Sequence, residues 1–375
     1  MTSQARTTTT STEKPDLTSG RNLLFVLLVS RVCLMMIFMP AITQGTAGED
    51  SWAAALLSLA WSIPLSLLAV WAATAVPGGL LVDANRKWGK LSLLIFAPYI
   101  LVLALVPGFY SAQLGTLFAT VTLTETPVGA LVAVALVVGT YAAYQGIDTI
   151  GRVGQVIITV LAVFLAVGFL GVAYEADSAR LQPMFSRGLL PVLSSSVNPA
   201  AWTVIALSVL PVLGRHVAPN TRGLQGVAIW ANAASMGLLT VTVMVTTMVF
   251  TAQEAQTMHS PAYVLAKMIR IPLTFERLEV IILTAWIGAI TLTVGTYLYT
   301  AAQAISDALS LKTHRTCLLP LALFVAASAV TLFASTSVVK HYVASVAPPV
   351  AALAVGLPAA AALALRRRTA GEQDG

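Results

Sequence analysis

The sequence predicts an all-α integral membrane protein of ten transmembrane helices in two sets of five, and three observations predict it. First, 57% of the 375 residues are hydrophobic and only 10% are charged, with a mean hydropathy of +0.85, against about 25% charged in an ordinary soluble domain. Second, the apolar residues fall in long charge-free runs, and about 20 such residues cross a hydrocarbon core. Third, strand-like alternation is absent, so the backbone must be satisfied within helices. This composition excludes a soluble cytosolic enzyme. A net charge of +6, from 21 Lys and Arg against 15 Asp and Glu, is what the inner loops of a membrane protein produce without any nucleic-acid-binding patch. Two cysteines, Cys33 and Cys317, are too few and too embedded in apolar sequence for a disulfide framework.

The elements follow in order. Residues 1–20 form a charged, Thr-rich leader with the composition of a disordered tail. The first span, 22–44, follows Arg21; it has the look of a signal peptide but lacks a small-residue cleavage site, and nine more spans come after it. The others are expected at 52–76, 91–118, 128–145, 153–174, 189–213, 224–250, 278–304, 317–336 and 342–365. A single transmembrane domain thus occupies 21–366, with a short tail over 367–375. Between the seventh and eighth spans, Val264, Leu265, Met268 and Ile269 recur at helical spacing from Pro261 to Ile271, predicting a helix lying flat on the outer surface.

Basic residues set the orientation. Fourteen Lys and Arg fall on the side of the N-terminus, six on the other, and Arg31 lies within a span. The richer side should be cytoplasmic, which places both termini inside.

No catalytic signature, metal-ligand spacing or phosphate-binding glycine loop is present, so neither enzyme activity nor a cofactor or metal is expected. The chemistry lies in polar residues within the spans, which are costly in hydrocarbon and face a cavity or a partner. Arg31 is ten residues beyond Arg21, about 15 Å along a helix and so near the bilayer midplane. Ser30 before it and Pro40 after it suggest a broken or kinked first helix. Arg31 would hold an anionic group such as a carboxylate; the alternative is a structural arginine that snorkels or caps a neighbouring helix. The sixth span carries Pro191, the serines 194–196, Asn198, Pro199, Trp202, Thr203, Ser208 and Pro211, and is the second interrupted helix; a kinked but purely structural helix is the other reading. Interruptions at matching positions of two halves point to an inverted repeat with a ligand between them. Tyr110, Ser111 and Gln113 in the third span, and Thr284, Thr291 and Thr293 in the eighth, are further candidates, each with an ordinary packing explanation. Apart from Glu279, no Asp or Glu falls inside the expected spans.

The stretch from His259 to Trp286, HSPAYVLAKMIRIPLTFERLEVIILTAW, resembles the approach to the eighth span in the B subunits of Ger-type spore germinant receptors. Similar to the same family are Glu49 to Trp52, Thr126-Pro127, Gly146 to Arg152, Leu181 to Pro183 and Gly188 to Pro191. The resemblance implies a LeuT-type 5+5 inverted repeat of the amino acid–polyamine–organocation superfamily with helices 1 and 6 broken. It implies a spore inner-membrane subunit that works beside an A subunit and a C lipoprotein and senses a small nutrient, an amino acid or sugar, among helices 1, 3, 6 and 8. The candidate ligand-binding residues are then Ser30, Arg31, Cys33, Tyr110, Gln113, Trp202, Thr203, Ser208, Thr284 and Thr291. Arg31 stands where relatives have small residues, and Trp202-Thr203 where many have Gly-Glu. The rival expectation is an ion-coupled amino-acid transporter on the same fold, with Thr291 and Thr293 helping to hold Na⁺.

Overall fold

A computed structural model describes residues 18–121, 125–217, 221–258, 260–268, 278–333, 343 and 345–371. Among these the chain is helical, with one isolated bridge between Thr18 and Val217. Ten helices of 17 residues or more occupy the ten expected places: α1 (Gly20–Ala47), α2 (Ser51–Thr74), α4 (Leu91–Val121), α5 (Val128–Gln145), α6 (Ile147–Gly171), α7 (Leu189–Leu207), α9 (Thr221–Ala255), α11 (Leu278–Leu309), α12 (Arg315–Thr331) and α13 (Ala347–Gly371). The short α3 (Leu80–Trp88), α8 (Leu210–Leu213) and α10 (Pro261–Met268) lie between them. Eight helical stretches among the described residues are long and apolar enough to cross a membrane; one of them, Met35–Thr74, takes in the second half of α1 together with α2, and α12 is a shorter apolar helix.

Local sequence accounts for the helix ends. Ser19 caps α1 by accepting the Asn22 N–H at 3.1 Å, and Gly48, at φ 63°, ends it with its N–H on Gln44 O. Gly146, at φ 96°, makes the tight link between α5 and α6.

The ten long helices show an internal repeat in their packing. Taken as spans 1 to 10 in chain order, most of the largest contacts recur when five is added to both partners, counting from 1 again after 10. Span 1 packs on span 7 and span 2 on span 6; span 3 packs on span 9 and span 4 on span 8; span 1 packs on span 5 and span 6 on span 10. This is the arrangement of two equivalent five-helix halves. Outward faces of α4, α5, α6 and α12 expose Leu94, Val137, Val163, Leu170 and Leu319, as a lipid-facing belt requires.

Polar residues at the crossings bind helix to helix. Asn22 Nδ2 donates to Asp148 Oδ1 at 2.6 Å, tying α1 to α6. Gln44 Nε2 reaches the hydroxyls of Thr246 and Thr247 on α9, each at 2.9 Å. Asn232 of α9 donates to Ser66 of α2 at 2.6 Å, and Trp61 of α2 to Ser196 of α7 at 3.0 Å. Glycines permit the closest approach: a Cβ on Gly295 of α11 would lie 2.9 Å from the Gly139 carbonyl of α5.

Two expectations change. The helix expected flat on the outer surface forms as α10, but Ala262, Tyr263, Leu265 and Ala266 are buried against α1, α9 and α11. Of the four periodic apolar residues, Leu265 is buried, Val264 and Met268 are half-buried, and Ile269 lies outside the described residues. In addition, α1 is one continuous helix through Ser30 and Arg31, so the interruption expected there is not seen.

Substituting Gly295 with Leu should cost about 1–3 kcal/mol through overpacking, while Gly129→Leu, where a Cβ meets nothing within 4 Å, should be close to neutral. Thermal unfolding of the two purified variants in detergent checks the difference.

Candidate functional site

Three helices converge where the polar residues of their sequences gather. On α1, Arg31, Met35, Phe38 and Met39 recur at one-turn spacing and so share a face. With Phe109 and Tyr110 of α4, Trp202 of α7 and Val343, they line a small cavity of about 10 Å³, room for about one water molecule. Arg31 is 1% exposed, and its Nε, Nη1 and Nη2 have no hydrogen-bond partner among the described residues. The indole Nε1 of Trp202 is likewise buried without a partner. A buried charge normally carries a partner, because desolvation costs several kcal/mol per ion; among the described residues no carboxylate lines the cavity. The walls are aromatic: Phe109 and Trp202 lie 5.0 Å apart between ring centroids, and Tyr110 stands 6.3 Å from Tyr297 of α11.

The backbone around this cavity is held by hydroxyl groups from other helices. Although α1 does not break, two consecutive carbonyls ahead of Arg31 each accept an external donor. Thr293 Oγ1 of α11 shares its proton between Ala289 O of its own helix at 2.8 Å and Val29 O at 3.2 Å, and Tyr110 OH donates to Ser30 O at 2.6 Å. On the other side α7 ends at Leu207, and the chain turns through Ser208 and Val209 before Pro211 starts the short α8. Proline has no N–H to continue the ladder, so carbonyls near the turn need other donors. Tyr297 OH donates to Ile205 O at 3.0 Å and Tyr99 OH to Ser208 O at 2.5 Å.

Of the residues singled out from sequence, Arg31, Tyr110 and Trp202 meet in this cavity. Ser30 contributes its carbonyl to Tyr110, while its own hydroxyl bonds back to Val26 O at 2.8 Å. Thr203 is buried beside the cavity, donating to Pro199 O at 2.9 Å with the Met35 sulfur at 3.8 Å. Ser208 sits at the α7 turn, and Gln113 is buried one turn beyond Tyr110. Thr284 does not join them: it is exposed and bonds back to Val280 O at 2.7 Å. Thr291 lines a separate apolar cavity between α4, α5, α6 and α11. The side chain of Cys33 lies outside the described residues, as do His259 and 269–277 of the long stretch quoted above. The aromatic wall of Phe38 and Phe109 was not anticipated; the spacing of Arg31, Met35 and Phe38 was the available signal.

A second polar cluster closes the end of the bundle where α1 begins. Arg215, just after α8, pairs with Asp307 of α11 at 2.5 Å, and Gln303 donates to the same carboxylate oxygen at 2.8 Å. With His216, Tyr299 and His314, they line a polar vestibule of about 600 Å³. Asp307 corrects the expected end of the eighth span: α11 runs on to Leu309, carrying this acid inside the helix.

An inverted pair of five-helix halves around a midplane cavity defines a permease-like membrane protein of the LeuT type. The chain belongs to a family described as Spore germination protein, whose model matches residues 19–337. Among curated proteins of Bacillus subtilis strain 168, it is 27% identical over 228 residues to the putative spore germination protein YfkT, covering 60% of this chain and 61% of that one. It is 24% identical to spore germination protein YndE, covering 72% and 75%. It is also 24% identical to spore germination protein KB, covering 69% and 70%. The match to YfkT therefore spans about three fifths of that relative's length. Among solved structures, MhsT in complex with L-phenylalanine superposes with a TM-score of 0.69 at 13% identity, covering 92% of this chain and 89% of that one. A manganese transporter variant of Eremococcus coleocola gives 0.63 at 13% identity, covering 92% and 78%.

Replacing Asp307 with Asn removes a charge-assisted partner of Arg215 and should cost about 1.5–3 kcal/mol. A double-mutant cycle with Arg215→Gln, read by thermal unfolding, should recover most of that as coupling.

Proposed function

We propose that this chain is the permease-like B subunit of a spore germinant receptor. It takes a small nutrient, an amino acid or sugar, into the cavity around Arg31 and passes the resulting change in conformational population to partner subunits. The observation that carries the reading is the unpartnered guanidinium of Arg31 facing the same cavity as the unpartnered indole N–H of Trp202, in a chain of the spore germination family. A charge left unpaired at that depth costs about 2.5–3.5 kcal/mol on insertion scales, and a ligand that supplies acceptors relieves it. The partners are then an A subunit and a C lipoprotein; the location is the spore inner membrane, with both termini inside, an orientation the basic-residue count supports. Residues 21–366 form the membrane domain, flanked by tails at 1–20 and 367–375.

A second reading, an ion-coupled amino-acid transporter, is favoured by the likeness in fold to a manganese transporter and to a protein crystallised with L-phenylalanine. Thr291 faces another cavity and so does not join Thr293, which weakens the Na⁺ site first envisaged for the two together.

Spores carrying Arg31→Ala or Trp202→Ala should lose their nutrient response or shift it by about tenfold or more in concentration, since about 1.4 kcal/mol per tenfold is less than the cost of one lost charged hydrogen bond. Unchanged dose–response curves in both would remove the site. Proteoliposomes of the subunit alone should show no uptake of labelled amino acids; concentrative uptake would establish the transporter.

A further inference from the structure

The space beside Arg31 has one size and one kind of chemistry. At about 10 Å³ it takes one water molecule or an ion of similar size, so a nutrient enters only after the walls part. Arg31 brings five N–H donors and no acceptor, and Trp202 brings one donor and no acceptor. None of the three guanidinium nitrogens, nor the indole Nε1, has a hydrogen-bond partner among the described residues. Tyr110 spends its hydroxyl proton on Ser30 O at 2.6 Å, and the thioethers of Met35 and Met39 are weak acceptors.

The charge is as bare as the donors. Acids on neighbouring elements are engaged elsewhere: Asp148 of α6 holds Asn22 and Arg152, Asp307 of α11 holds Gln303 and Arg215, and Asp50 accepts the Phe185 N–H. Among the described residues, the ring faces that receive a cation are those of Tyr263 and Tyr144, on other parts of the bundle. A water molecule in the cavity would accept from the donors, but it would have to place two hydrogens of its own against the Tyr110 oxygen and two sulfurs, and it would leave the guanidinium uncompensated. A monatomic anion needs donors alone, which is what Arg31 and Trp202 supply. It also neutralises the guanidinium at contact distance, where a low dielectric makes the attraction large.

Resting on the reading of this cavity as the place where the nutrient acts, we infer that the nutrient-free protein holds a chloride ion there, bound by the guanidinium of Arg31 and the indole N–H of Trp202. The ion keeps Arg31 paired while the walls are closed. When they open, the carboxylate of an amino acid or the hydroxyl oxygens of a sugar take over its donors.

The test uses the full chain purified in detergent and exchanged into gluconate buffer, with radiolabelled chloride in equilibrium dialysis. A single saturable chloride per chain should bind. Arg31→Gln should abolish it, and Trp202→Phe, which removes one donor and keeps the aromatic wall, should weaken it by about tenfold or more, the effect of one hydrogen bond to a charged group. A crystal grown in bromide should show an anomalous peak between Arg31 and Trp202. No saturable binding up to about 100 mM, equal binding in wild type and both variants, or a water without anomalous signal in the cavity each overturns the inference. An Arg31-dependent nutrient response of spores without chloride binding removes the ion and leaves the receptor reading standing. Chloride binding that is lost in Arg31→Gln, beside unchanged spore responses in Arg31→Ala and Trp202→Ala, does the reverse. Should Arg31→Gln fail to fold, Trp202→Phe and the bromide peak decide the question.

Discussion

In hydrocarbon no solvent completes a hydrogen bond, so each polar group in the bundle has to find its partner inside the protein. That constraint organises the fold. Helical backbone satisfies most of the demand, and buried hydroxyls satisfy themselves, as Thr240, Thr242, Thr246 and Thr247 do along α9 by bonding to carbonyls of their own helix. The amides that remain become crossing points, with Asn22, Gln44 and Asn232 each joining two helices. Where proline weakens the ladder, tyrosines of neighbouring helices occupy the carbonyls of Ile205 and Ser208. Single atoms elsewhere also lack a partner among the described residues, the amide oxygens of Asn22, Gln44 and Asn232 among them, but at Arg31 all three guanidinium nitrogens do.

Most of the architecture could be read from the chain because membrane crossing imposes a length and a composition on each helix. The ten long helices begin and end near the limits set by apolar runs, and Arg31, Tyr110 and Trp202, singled out as polar residues within spans, line one cavity. What the sequence hid has identifiable causes. Asp307 was placed beyond its span because hydropathy falls before the helix ends; the acid is tolerated inside it because Arg215 and Gln303 bond it. Thr284 resembled a site residue, yet a threonine that bonds back to its own helix can face outward at little cost. The buried face of α10 could not be separated from a surface helix, since both need the same periodicity.

The first helix posed a subtler problem. Serine and arginine beside each other, with a proline nine residues on, suggested an interruption, but the helix runs through them. The weakness is present in another form: the carbonyls of Val29 and Ser30 each take a donor from another helix. Local sequence marks where a helix has spare bonding capacity, while the neighbours decide whether that capacity becomes a break.

Two of the bonds described above lie on one rod. Tyr297 and Asp307 are ten residues apart on α11, about 15 Å along its axis, and they hold Ile205 and Arg215 respectively. The segment between those two residues contains the turn at Ser208 and the whole of α8, so it is fastened at both ends to the same stiff strut. Trp202 sits one turn before the first fastening. A displacement of the cavity wall therefore has to bend the hinge at Ser208, stretch the tyrosine tether or part the ion pair at the far end. The wall of the proposed site and the Arg215–Asp307 pair are thereby joined through one short segment.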